Sequence, residues 1–540
     1  MDNPKISAAY LAPALEHLGQ GLNIFTEGYL MPPGNGKVLS LKEEDFDIIP
    51  VRQTTATETF GSNFAVFIQD FSVAAGLDGS YKGFTASVES KFAKSTRDSI
   101  DTKFAQMSLL SVGYYFNVSH DPKKYLTKEF KQALENDKPE DLFAQYGTHV
   151  AIRVTIGGMI TYYAYSKTTE RLSDVKFEAA ARAKYLGYGA EVGANAETTH
   201  QQKEEAKTVE GSISLYVNGG DETARINVEH GAKDSFAAWA ATIDRNPGFL
   251  GFRPGGLTPI WMLTENKERR AAIHLAFNQM AARQFQIRIF THTGEVAQHP
   301  EARVHIPSEY KLLAGGARDN FAPGGGNLLT ASFPDGDSVW IGRGKDHHAV
   351  SPANVSVFAV GIYDNLGLWE VAHSSATGNQ GEHPSAEVAL CEGFVAKDGV
   401  LVGGGAAVVD GPGSDKMLTS SYPKNATTWA AAATDPQNSN PAKITVYAVG
   451  LRCLVEGIKI EVKTNHLQSR REAHPSQLCS PNQGFTLTGG GALVDYGTGP
   501  GNLLTSSYPE NERTWAASSK DQKLHSPATI TTYAIGLKVS

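Results

Sequence analysis

The stretch DLFAQYGTHVAIRVTIGG, residues 141–158, decides the reading of the first half of this chain. A helical run ends at Gly147, a residue free to take the positive φ of a C-terminal cap, and a strand leaves directly after it. Gly157 and Gly158 then stand side by side inside that strand. Paired glycines there permit a sharp bend or bulge where side chains would obstruct.

Working outward, the periods are mixed. DPKKYLTKEFKQALEN (121–136) reads as one helix, with Asp121 as N-cap, Pro122 at the first position and Leu126, Phe130 and Leu134 every fourth residue. Ile273, Ala276, Phe277 and Met280 mark an amphipathic helix within 264–284. Strands are expected at 150–166 and 211–220. No nucleophile motif, HExxH or P-loop accompanies His149, and PGGGN (323–327) lacks the lysine and helix that a phosphate site needs. His149 is therefore expected to be structural, hydrogen-bonded at the sheet bend, and the chain is not expected to be an enzyme.

The order Tyr146-Gly147-Thr148-His149, then a strand, then Gly157-Gly158, resembles the signature of the membrane attack complex/perforin (MACPF) family, related in fold to the cholesterol-dependent cytolysins. Val150 replaces the aromatic residue that often follows the histidine. LGQGLN (18–23), the pair Gly219/Gly220 as a second sheet hinge, Trp239 and LTPIWML (257–263) extend the resemblance over about 1–285. It implies a bent antiparallel sheet flanked by two helical clusters, at about 74–112 and 168–209, that unfurl into transmembrane β-hairpins.

Those windows can be tested on their own residues, because a barrel strand alternates lipid-facing and lumen-facing side chains. Phe84, Ala86, Val88 and Phe92 share one phase while Thr85, Ser87, Glu89 and Lys91 take the other; after the polar turn 94–99, Ile100 and Phe104 keep the apolar phase. In the second window Phe177, Ala179, Ala181, Ala183 and Tyr185 alternate with polar residues, and the phase then flips to Leu186, Tyr188 and Val192. A spacing of four also suits a helix, and alanine is a strong helix former, so these segments read as helical before insertion and as hairpins in a pore. An isolated hairpin would leave unpaired edges in hydrocarbon, so insertion is expected to accompany closure of a ring of subunits.

The second half carries a repeat. LLTASFPDGDSVW (328–340), MLTSSYPKNATTW (417–429) and LLTSSYPENERTW (503–515) align, with Thr330, Thr419 and Thr505 spaced 89 and 86 residues apart. Each copy opens on a glycine cluster (314–317, 403–406, 489–492), read as turns or bulges, and closes on an alternating strand (355–362, 444–451, 530–537). The units fall at about 286–364, 365–452 and 453–540 and form one all-β domain, 286–540, of three lobes. Such a domain resembles the β-tripod or β-prism modules of bacterial, insecticidal members of the family. It would anchor the protein to a membrane lipid, surface glycan or receptor, by multivalent contacts if each lobe binds weakly. Tyr422, Trp429, Tyr508, Trp515 and Trp340 are its candidate receptor contacts, against lobe core as the alternative.

Composition sets the outer bounds. The 540 residues are 41% hydrophobic and 20% charged, with net charge -8, which suits a globular protein and gives no basic footprint for nucleic acid. Three cysteines without CxxC spacing argue against a disulfide framework or a cysteine zinc site, and no cofactor is indicated; the histidines and aspartates of 345–348 and 520–525 allow a metal but do not call for one. No apolar run of about 18 residues spans a bilayer, and the first residues lack the pattern of a conventional export signal. The fold class expected is α+β, a bent sheet with helical flanks followed by a pseudo-threefold β domain. The function expected is a cytolytic, insecticidal pore-forming toxin, released from a bacterium as a soluble monomer and then moving to the target-cell membrane. The alternative is a non-lytic surface adhesin on the same scaffold.

Overall fold

A computed structural model of the chain describes residues 8–26, 36–62, 64–74, 88–97, 102–166, 174–191, 214–322, 326–347, 350–409, 416–437 and 440–540. The chain divides into two compact units, Met1–Phe277 and Asn278–Ser540. The division falls inside the helix Lys267–Arg283, shortly before the 285/286 junction read from the repeats.

The first unit is built on an antiparallel sheet in the order Phe46–Gly61, Phe104–Val118, Arg153–Tyr165. The third strand is flanked on its far side by Ser214–Asn218, opposite residues 159–163, and by Gly248–Phe252, opposite residues 154–157. Register shifts line up across the sheet: between Pro50 and Gln53, between Val112 and Tyr114, and, where Gly248–Phe252 pairs, between Thr155 and Ile156. Adjacent bulges add local bend and twist in the same place. Gly157 is needed there, because a Cβ on it would run into the Ser111 carbonyl.

Two segments of the first unit differ from the sequence expectation. The segment 121–136 is not one helix: Asp121 caps a 3-10 turn, Pro122–Tyr125, and Thr127 caps a separate helix, Lys128–Asn136, by accepting from the Phe130 N–H at 3.1 Å. Leu126 leaves the helical path to bridge Leu39, while Phe130 and Leu134 are buried as expected. His149 does not sit at the bend either. The strand is interrupted at Ile152, and His149–Ala151 belongs to a small separate sheet between Gly21–Leu22 and Leu257–Pro259.

Among the described residues the second unit has eighteen strands in three six-stranded antiparallel sheets. No repeat owns a sheet. The first repeat places Glu301–His305, Val339–Asp346 and Asn327–Pro334 beside Val400–Val409, Lys443–Cys453 and Trp369–Thr377 of the second. The second lends its remaining strands to the third, and the third to the first, which closes the cycle. The three junctions are equivalent: Ser332↔Ala406, Ser421↔Ala492 and Ser507↔Ala317. The expected three lobes are therefore three shared sheets, each made of half of one repeat and half of the next, and Leu328, Met417 and Leu503, one from each repeat, meet as a fully buried cluster.

The glycine clusters lie inside continuous strands just after a register shift, at Leu312/Ala314, Leu401/Gly403 and Leu487/Gly489, so the bulge reading fits and the turn reading does not. Their smallness serves the tryptophans. A Cβ on Gly315, Gly404 or Gly490 would lie 2.5, 2.6 or 2.5 Å from Cγ of Trp340, Trp429 or Trp515, so each indole packs flat on a bare backbone. Each indole N–H donates to a serine of its own repeat, Ser332, Ser421 or Ser507, at 2.9, 2.9 and 3.0 Å.

Candidate functional site

The strands Phe46–Gly61, Phe104–Val118 and Arg153–Tyr165 end together at the pairs Gly61↔Phe104↔Tyr165. At this end of the sheet the chain enters and leaves both candidate membrane-entering windows. The first window, 74–112, begins between the first two strands and runs on into the second of them from Phe104, and the second window lies between Arg153–Tyr165 and Ser214–Asn218. Any extended structure formed in either window would prolong strands already in register.

Side chains alternate across a strand, so neighbouring residues serve opposite faces. On one face Phe104 and Tyr163 join Phe64, Phe67, Ile68, Val88 and Phe92 in a buried aromatic cluster. Phe92 meets Phe67, Phe104 and Tyr163 edge-on at 5.7, 5.1 and 5.8 Å. The segment carrying Val88 and Phe92 is a helical turn followed by the short helix Lys94–Arg97, closed by an Arg97–Glu89 pair at 3.0 Å. On the other face Ala105, Met107, Tyr162 and Ala164 receive Phe177, Ala180 and Ala181 of the helix Asp174–Glu191. Arg182 of that helix holds Glu58 of the sheet at 2.8 Å.

The candidate residues are thus placed as follows. Val88 and Phe92 are buried in the helical segment, whereas Phe104 already begins a strand. Phe177, Ala181 and Ala183 are buried and Ala179 and Tyr185 half-buried on the second helix, which also contains Leu186 and Tyr188. Phe84, Ala86, Ile100 and Val192 lie outside the described residues.

The signature residues frame the same unit. Gly147 ends the helix Pro139–Tyr146 at φ 75°, donating its N–H to Phe143, and a Cβ on it would lie 2.5 Å from the Leu22 carbonyl. Thr148 and His149 are buried; the His149 ring hydrogen-bonds the Thr148 hydroxyl at 3.0 Å between Trp261 and Phe277. Burial lowers its pKa to about 3, so the ring is neutral. Gly158 and Gly220 give way to a helical pair, Glu222–Glu229 and Ser235–Ala240: a Cβ on Gly158 would meet Trp239 at 2.8 Å, and one on Gly220 would meet it at 2.7 Å, while one on Gly219 would lie 2.5 Å from the Gly157 carbonyl oxygen. Trp239 donates its N–H to the Gly219 carbonyl at 2.9 Å. Both hinge glycines have positive φ, 75° and 77°.

In the second unit the receptor-contact reading fails for Trp340, Trp429 and Trp515, which are 0% exposed and serve as inter-sheet core. Tyr508 is also largely covered, its hydroxyl bound to Glu510 and Arg318. Tyr422 is half-exposed. Both tyrosines belong to a threefold set missed in the sequence: Phe333 stacks on Tyr447, Tyr422 on Tyr533 and Tyr508 on Phe358 at 5.3, 5.4 and 4.9 Å, each pair bridging two repeats over a glycine. The signal was available, since each closing run and each Pro-containing run carries one aromatic at the same place. No group of metal-binding side chains occurs among the described residues.

The first unit thus combines a bent antiparallel sheet, two helical flanks leading out of the same sheet end, and a tryptophan–glycine clasp at its hinge. Residues 12–267 match the MAC/Perforin domain model, and the first unit belongs to the MAC/Perforin family. No curated protein matches the sequence. Similar solved structures include GNIP1Aa from Chromobacterium piscinae (17% identity, TM-score 0.43, covering 69% of this chain and 75% of that one). A MAC/Perforin-domain protein of Bacteroides thetaiotaomicron, described as a cell invasion protein, is 16% identical with TM-score 0.38, over 54% of this chain and 66% of its own. Vertebrate Astrotactin-2, described as perforin-like, is 10% identical with TM-score 0.34, over 64% and 71%.

Proposed function

We propose that this chain is a pore-forming toxin: the second unit binds a membrane lipid or surface glycan, subunits associate into a ring, and each inserts two β-hairpins made from the windows at about 74–112 and 168–209. The observation that carries this is the shared sheet end at Gly61, Phe104 and Tyr165. The helical parts of both windows, residues 88–97 and the helix Asp174–Glu191, are docked on opposite faces by apolar clusters rather than by continuous sheet pairing. Among the described residues no helix is long and apolar enough to cross a membrane, so crossing would use strands. No covalent chemistry belongs to this reading. The insect cell as target, and release from a bacterium without a conventional export signal, rest on the sequence resemblance alone.

The test is calcein release from vesicles of several lipid compositions and from gut-epithelial membrane vesicles, together with sedimentation of the protein on the same vesicles. Release by the full chain, with ring-shaped assemblies on the membrane, is the expected result. Binding without release would replace the toxin by the adhesin.

A further inference from the structure

The aligned bulges of the first sheet are gripped from outside it. Tyr10, on the helix Ala8–His17, is buried, and its ring occupies the notch left by Gly113: a Cβ on that glycine would lie 2.7 Å from both Cζ and the hydroxyl oxygen of Tyr10. The Tyr10 hydroxyl donates to Asp244 Oδ1 at 2.6 Å, and its ring meets Tyr114 edge-on at 4.7 Å. Tyr114 in turn accepts from the Arg52 guanidinium at 3.4 Å, and Arg52, at φ 45°, lies in the bulge of the edge strand Phe46–Gly61. At the other end of the same helix His17 stacks on Phe249 at 3.9 Å, in the strand Gly248–Phe252, which pairs at the bend. One short helix therefore touches the middle strand and the Gly248–Phe252 strand at the bend, and reaches the edge-strand bulge through Tyr114 and the turn behind the Trp239 helix through Asp244.

We propose that helix Ala8–His17 is a strap that fixes the curvature of the sheet, with the Tyr10–Asp244 hydrogen bond as its catch. The notch at Gly113 exists only while the bulges stay in register. Straightening the sheet closes it and expels the Tyr10 ring, so the phenol–carboxylate bond must break first. Such a bond to a carboxylate is stronger than one between neutral groups, and burial together with Asp244 pushes the Tyr10 phenol well above its ordinary pKa, which keeps the donor protonated. The strap's part in insertion rests on the pore reading; its hold on the bend does not.

The experiment uses the full chain with Tyr10→Phe, which keeps the ring in the notch and removes only the donor, and Asp244→Ala, which removes the acceptor, as an independent break of the same bond. Hydrogen exchange is followed on peptides from 104–118 and 153–165, with peptides of the second unit as reference, and dye release is measured on phosphatidylcholine–phosphatidylserine vesicles. Losing a hydrogen bond to a charged group raises local opening about tenfold or more. Exchange should accelerate by that factor at the bend and not in the second unit, and half-maximal release should need about tenfold less protein by the same estimate. Unchanged exchange at the bend in both variants overturns the strap, as does acceleration spread evenly over the chain. Faster exchange with an unshifted release curve overturns its part in insertion. Faster exchange at the bend with no release by any form, the natural chain included, upholds the strap and removes the pore reading instead.

Discussion

Replacing Trp429 by alanine separates the core of the second unit from its surface. The indole is 0% exposed, lies flat on Gly404 and donates to Ser421 at 2.9 Å. Truncating a buried aromatic of this size costs about 3–5 kcal/mol, transfer and cavity together. In a domain of this size each kcal/mol moves the midpoint by about 2–4 °C, so the transition of the second unit should fall by roughly 6–20 °C. Ser421→Ala, which removes only the acceptor, should cost about 1 kcal/mol and move it by a few degrees. Differential scanning calorimetry of the full chain reads both, with near-UV circular dichroism following the indoles. A Trp429→Ala shift below about 3 °C, less than the cost of a single kcal/mol, combined with a loss of membrane binding, would refute the inter-sheet packing and return Trp429 to the surface role that its burial denies it.

Gly147→Ala should lower the stability of the first unit by at least about 1–2 kcal/mol in urea unfolding, because φ 75° disfavours a Cβ and the Leu22 backbone blocks it; a neutral result would mean that the cap is not left-handed. His149 is held neutral when folded but titrates near its ordinary value when unfolded, so its stabilising effect is complete above about pH 6.5 and is lost progressively as the pH falls towards 3. His149→Phe should flatten that part of the acid-stability profile, and an unchanged slope would assign it to other groups. Val88→Glu or Phe92→Glu places a charge inside the Phe64–Phe67–Phe104 cluster, so limited proteolysis should cut near 88–97 before any membrane is added; intact resistance would mean that the cluster is not closed. Of the three thiols, exposed Cys391 should react first with a disulfide reagent and Cys479 last, since burial pushes the latter's pKa up to about 11.

What could be read from the sequence follows from which residues have a single physical use. Gly147 was legible because a left-handed cap before a strand admits little else, and the repeats because their threonines, glycine clusters and closing strands keep one spacing. The side on which Trp340, Trp429 and Trp515 fall was not legible, since an aromatic kept in every copy suits a core as well as a contact. Only the glycines 315, 404 and 490, one sheet away, show that the rings turn inward. The break at Leu126 was hidden because a period of four ran across a 3-10 turn and a second cap. Tyr10 and Asp244, 234 residues apart in sequence, carry no local pattern at all, and Gly113 was the one available hint, a glycine inside a strand.

The cyclic sharing of sheets has a bearing on how the second unit comes into being. One edge of Tyr310–Asn320 pairs with Asn354–Tyr363 of its own repeat, but the other is taken by Leu503–Asn511, so on the ribosome the first repeat waits with an open strand edge until nearly the whole chain has been made. Open edges recruit other chains, and synthesis truncated after one or two repeats would leave products that pair with one another. A single repeat made alone would give half its strands away and need half in return, so the same cycle of sheets would take three separate chains to close; here each partner is guaranteed by being on the same polypeptide.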